Sequence, residues 1–167
     1  MEIVIKNGAI RIKGKTGILQ AILGKDGFEI SSLGEDNAKR FGGAGEYEVS
    51  GISVIGVTDG EGTAFVYEVD NLRIANLTAI SEKLNENKLQ QLGDIDVLLL
   101  GTHSKSIEIM QQIEPYFVLP IVINGNTDSL DKFLKESGLV VNQMPKFSLK
   151  KEEIIEDMPT QIVVLEF

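Results

Sequence analysis

The chain contains no cysteine, no tryptophan and a single histidine, His103, among its 167 residues. The missing thiols exclude disulfides, thiolate nucleophiles and cysteine metal sites together. They do not fix a redox compartment, and the cytoplasm is the default expectation. Positive charge is also scarce, since 16 Lys and Arg stand against 25 Asp and Glu for a formal charge of −9. Such a field repels phosphate backbones and anionic lipid headgroups, so neither nucleic acid nor membrane is expected as a partner. The apolar stretches at Val97 to Leu100 and Phe117 to Ile123 are far shorter than the roughly 18 to 20 residues of a membrane helix. They read as buried strands. Met1 to Lys6 alternates like a strand, without the basic and then apolar regions of a signal peptide.

Hydrophobic residues, by contrast, are plentiful at 43%, enough for a core in one domain spanning residues 1–167. The first two thirds is a run of short strand candidates punctuated by Gly, Asn and Asp, which favours hairpins. These are Glu2 to Lys6, Ile10 to Lys13, Ile18 to Leu23, Phe28 to Ser31, Glu46 to Val49, Ile52 to Thr58, Thr63 to Val69 and Leu72 to Leu77. From Ser81 the period changes. Leu84, Lys88, Leu89 and Leu92 predict an amphipathic helix stopped by Gly93, a second helix opens at Ser106, and a third at Ser129 ends at Gly138. Strands at Val97 to Leu100, Phe117 to Ile123, Val140 to Asn142, Lys146 to Leu149 and Gln161 to Glu166 alternate with or follow them. This pattern implies an α/β or α+β fold rich in antiparallel pairing, with sheets packed face to face and helices outside.

The segment Gly43-Ala44-Gly45-Glu46-Tyr47-Glu48-Val49-Ser50-Gly51-Ile52 resembles the GPGEYEV-x-G stretch of metallo-β-lactamase-fold hydrolases similar to ascorbate-6-phosphate lactonase. The resemblance continues through Ala64 to Val69, Asp70 to Ile74, Leu92 to Leu100, Ile113-Glu114-Pro115, Leu119-Pro120, and Phe147 to the last strand. It implies an αββα sandwich with zinc chemistry at one edge, where the metal lowers the pKa of a bridging water. In that family the main ligand cluster is a His-x-His-x-Asp-His loop, and its place here is the interval Ile18 to Phe41. That interval has no histidine and looks shortened to Gly27 to Arg40, so the fold is expected to be truncated near the N-terminus.

The other ligand positions implied by the resemblance read the same way. The family's His-Leu-Gly-Asp turn, with its metal-bridging aspartate, corresponds to Asn76-Leu77-Thr78-Ala79. The late histidine falls on Val122, and that of the opening hairpin near Asn7 or Gly8. No metal site, cofactor site or catalytic residue is therefore expected.

Several residues still invite a functional reading. His103 lies at the mouth of a strand with Ser104 and Ser106 nearby, but sequence neighbours rarely share the geometry of a serine-histidine pair. It reads as an ordinary polar loop residue. The Gly42 to Gly45 loop could cradle phosphate, yet it lacks a Gly-Lys-Ser/Thr ending and leads into a strand. Asp59-Gly60-Glu61-Gly62 has too few spaced oxygens for calcium and reads as a hairpin tip. Glu46 and Glu48 share one strand face and read as solvated.

The leading expectation is a non-catalytic protein of this fold that acts by binding or assembly, as a homo-oligomer or with a catalytically intact relative. An unorthodox hydrolase using His103 with Glu46, Asp59 or Glu61 is the enzymatic alternative; a small-molecule binding module in the vacated cleft is the third. The expected self-association patch is Ile18, Leu19, Ile22 and Leu23.

Overall fold

The computed structural model describes residues 1–24, 27–32, 43–58, 62–122 and 125–166, with residues 23, 24 and 27–29 as backbone alone. Four strands open the chain: β1 (Glu2–Lys6), β2 (Ala9–Lys13), β3 (Ile18–Gly24) and β4 (Gly27–Ser32). A second meander follows in β5 (Gly45–Val49), β6 (Ile52–Thr58), β7 (Thr63–Val69) and β8 (Leu72–Asn76). The remainder alternates through α1 (Glu86–Leu92), β9 (Val97–Gly101), α2 (Ser106–Ile113), β10 (Phe117–Ile121), α3 (Thr127–Ser137), β11 (Val141–Met144) and β12 (Phe147–Ser148). A 3-10 turn at Lys151–Glu153, absent from the expectations, precedes β13 (Gln161–Leu165).

The strands form two sheets, a five-stranded one in the order β12-β1-β2-β3-β4 and an eight-stranded one in the order β11-β13-β10-β9-β8-β7-β6-β5. Local turn chemistry sets the hairpins. Asn7 and Gly8, Ser50 and Gly51, and Asp70 and Asn71 all have φ between 52° and 73°, as two-residue turns that match strand twist require. Beyond β8 the pairing becomes parallel, β8 with β9 and β9 with β10, because α1 and α2 carry the chain back between strands. α1 is capped by the Asn85 side chain, which accepts from the Lys88 N–H, and ends where Gly93 takes φ 66°.

Period-two alternation sorts the apolar residues into two cores. Between the sheets, Ile3, Ile12, Leu19 and Ile30 meet Phe65, Tyr67, Ile74, Val97 and Leu99. Phe117 and Phe147, from opposite sheets, pack with ring centroids 5.1 Å apart. On the outer face of the eight-stranded sheet, Val66, Leu98, Leu100 and Val118 pack against Leu92 of α1, Ile109 and Met110 of α2 and Phe133 of α3. β9 and β10 are buried on both faces, which explains their uninterrupted apolar runs.

The same alternation corrects the expected surface patch. Leu19 is wholly buried between the sheets, whereas Ile22 is 37% exposed on the outer face of the five-stranded sheet. Ile18 shares the parity of Ile22, and the side chain of Leu23 lies outside the described residues. No helix among the described residues is long and apolar enough to cross a membrane.

Candidate functional site

The carboxyl ends of β8, β9 and β10 form one mouth of the sandwich, where strand ends in α/β proteins commonly hold chemistry. Asn76 closes β8 and is 1% exposed. Its amide nitrogen donates to the Tyr67 hydroxyl at 3.0 Å, and its amide oxygen accepts from the backbone N–H of Thr78 at 3.2 Å and from the Thr78 hydroxyl. Burial pushes the Tyr67 phenol well above its ordinary range, outweighing the opposing effect of the Asn76 bond. Tyr67 is therefore a neutral hydrogen-bonding group, not a base. The sequence signal for this buried cluster is the asparagine that ends the apolar Ile74-Ala75 run of β8, where a buried amide needs partners.

His103 follows β9 and is half-buried. Its Nδ1 accepts from the Lys105 backbone N–H at 3.2 Å, and its Nε2 lies 2.9 Å from the Ile80 carbonyl. A carbonyl only accepts, so Nε2 carries the hydrogen and both ring nitrogens are spent in the neutral tautomer. His103 is in a loop as expected, but it also straps the segment after β8 to the segment after β9. Ser106 is wholly buried and turned to the backbone: its hydroxyl donates to the carbonyl of Gly101 at 2.7 Å and lies 2.9 Å from that of His103, while accepting from the His103 N–H at 2.8 Å. Ser104 is exposed. No serine-histidine pair is assembled here. Thr102 is joined to Ser129 of α3 at 2.7 Å, and since the Ser129 hydroxyl donates to the Asn126 carbonyl, Thr102 is the donor.

Close packing fills the same mouth. A Cβ on Gly62 would stand 2.8 Å from the Ala79 carbonyl, so the β6–β7 hairpin reaches the position matched to the bridging aspartate. Residues 59–61, including Asp59 and Glu61, lie outside the described residues, as do 33–42 with Gly42. Of the glycine loop, Gly43 presses its carbonyl against Gly56, where a Cβ would be 2.0 Å away. The Tyr47 hydroxyl donates to the Ala44 carbonyl at 2.9 Å. The described part of the loop thus serves packing. Glu46 and Glu48 are exposed. Asn7 and Gly8 are turn residues, Val122 is partly buried beyond β10, and Ala79 is partly buried beyond β8.

A hydrolytic zinc takes three nitrogen or oxygen ligands and leaves a fourth position for water. Among the described residues no group of three or more His, Cys, Asp or Glu is placed to hold a metal ion. The described donors at this mouth do not fit such a site.

A family model described as a beta-lactamase superfamily domain matches residues 22–122, more than half of the chain. The chain belongs to the beta-lactamase superfamily. Among solved structures, it is similar to a Thermotoga maritima protein described as a candidate Zn-dependent hydrolase of the metallo-beta-lactamase superfamily, at a TM-score of 0.77 and 16% identity over 100% of both chains. That likeness establishes a metallo-β-lactamase-type sandwich. No curated protein matches. Among the described residues, the polar side chains at this mouth are bonded to one another or to backbone groups.

Proposed function

We propose that this superfamily member is a non-catalytic protein that acts by binding or assembly. The observation that carries the reading is the state of the mouth: Ala79 and Val122 offer no ligand atoms, and both nitrogens of His103 are engaged by backbone groups. A hydrolase of this fold needs a nucleophilic water activated by metal or by a free base. The imidazole here is already used to hold two loops.

Assembly is supported by the placement of apolar surface. The described helices pack on the eight-stranded sheet, while Ile22 on the outer face of the five-stranded sheet is 37% exposed. Exposed apolar surface is commonly covered by a two-fold copy. Homo-oligomerisation through this face is our reading, with docking onto a catalytically intact relative as the heteromeric form.

Turnover of lactone, phosphoester and lactam substrates, with and without added zinc, tests the first part. No zinc-dependent turnover is expected; saturable turnover lost on His103→Ala would overturn it. Light scattering tests the second. A dimer or larger species that Ile22→Glu dissociates without unfolding is expected, and a strictly monomeric mass near 18.3 kDa at high concentration would refute it.

A further inference from the structure

The opposite end of the sandwich carries a different surface. Here the β2–β3 turn, the β5–β6 turn and the β7–β8 turn pack on one another. A Cβ on Gly17 would stand 2.4 Å from the Ser50 carbonyl, and one on Gly14 would stand 2.6 Å from Val69 Cγ1. The β2–β3 and β7–β8 turns, the start of β1 and the segment from the end of β12 surround a cleft of about 530 Å³, within the usual range of small-molecule sites. Four lysines, Lys13, Lys15, Lys150 and Lys151, line it. The last two come from a part of the chain far from the first two in sequence.

The carboxylates of this end are mostly committed. Asp70 accepts from the Lys15 backbone N–H at 2.9 Å and lies 3.0 Å from the Met1 amino group. Glu2 also lines the cleft and is bridged at 2.9 Å to Lys146, which does not line it. Lys151 is itself consumed, pairing with buried Asp96 at 2.8 Å. Among the described residues, Glu152 is the lining carboxylate with no hydrogen bond or ion pair, while the ammonium groups of Lys13, Lys15 and Lys150 stand in no salt bridge. Lys13 and Lys15 reach Glu2 and Asp70 only at longer range. All three lysines are exposed. A chain of charge −9 therefore concentrates uncommitted positive charge in a concave site.

We infer that this cleft binds a small phosphate-bearing molecule. Lysine ammonium groups act as point charges for phosphate oxygens, and a concave lining focuses the field on an anion. The acidic remainder of the chain repels a long phosphate polymer, so the ligand is small. The inference stands whether or not the opposite mouth is catalytic.

The test uses the full chain and inorganic pyrophosphate, followed by amide NMR shifts and calorimetry. Saturable shifts are expected at Gly14, Lys15, Asn71 and Lys150 to Glu152, with affinity falling as salt rises. Replacing both Lys15 and Lys150 by Gln should weaken binding roughly tenfold or more without changing the melting temperature, whereas Lys132→Gln on α3 should leave it unchanged. Shifts scattered over all surface lysines, equal weakening by Lys132→Gln, tighter binding of citrate than pyrophosphate, or no binding at millimolar pyrophosphate would each overturn the inference.

Discussion

The two ends of the sandwich handle polar groups in opposite ways. At the mouth formed by β8, β9 and β10, Asn76, Thr78, Tyr67 and His103 are neutral and bonded to one another or to backbone. At the turn end, Asp70 and Asp96 are paired while Lys13, Lys15 and Lys150 stand in no salt bridge among the described residues. At the mouth, the described polar groups serve structure. Buried polar groups stabilise only when satisfied, and the described groups of the mouth meet that condition by internal hydrogen bonding. The turn end can keep free ammonium groups because water solvates them.

Breaking the mouth should produce the larger effect. Asn76→Ala removes a partner from Tyr67 and two from Thr78 inside the core, and should cost about 3 kcal/mol, at about 1–3 kcal/mol per unsatisfied group, measured by urea unfolding. At the turn end, Gly17→Ala forces its Cβ against the Ser50 backbone and should cost about 2 kcal/mol in the same assay, within the range of overpacking. His103→Ala removes one strap between loops, and a loss of about 1 kcal/mol is expected. A loss far below that would place His103 outside the structural role assigned to it.

The smallest effect sharpens the comparison through pH. Burial tends to raise the carboxyl pKa of Asp70, but the Lys15 N–H and the Met1 amino group outweigh it and hold the pKa below the usual range. A depressed folded-state pKa contributes stability that is present above the unfolded value, about 3.9, and is lost as pH falls through the folded value. Asp70→Asn should therefore lower stability near neutrality and flatten the acid limb of the stability curve below about pH 4. An unchanged acid limb would show that Asp70 is not held as described.

Much of this fold is legible in local pattern. The Ile52–Thr58 and Thr63–Val69 strands can be read residue for residue, since alternation and flanking turn residues bound them. The stops at Gly93 and Gly138 follow from the left-handed backbone that glycine tolerates. What local pattern does not carry is partnership between distant segments. β12 joins β1 through Ile3 and Phe147, and the cleft gathers Lys13 with Lys150; neither pairing has a local signal. The 3-10 turn at Lys151–Glu153 is too short for periodicity to reveal. At the mouth, the family resemblance marks Ala79 and Val122 as positions whose side chains carry no ligand atom, an expectation read directly from residue identity. The hydrogen-bond network there has no local signal, because Tyr67, Asn76 and Thr78 meet only once β7 and β8 pair. Leu19 faces the core and not the expected surface patch, because parity within β3 sets it on the face opposite to that of Ile22.

The central claim is that the mouth holds structure in place of a metal centre, and zinc binding tests it most directly. The chain should be purified, dialysed against chelator, titrated with zinc in a calorimeter and then analysed for metal content. The account predicts no tight stoichiometric site and no change in heat when His103 is replaced by alanine. A stoichiometric zinc that survives dialysis, or a tight isotherm abolished by His103→Ala, would contradict it.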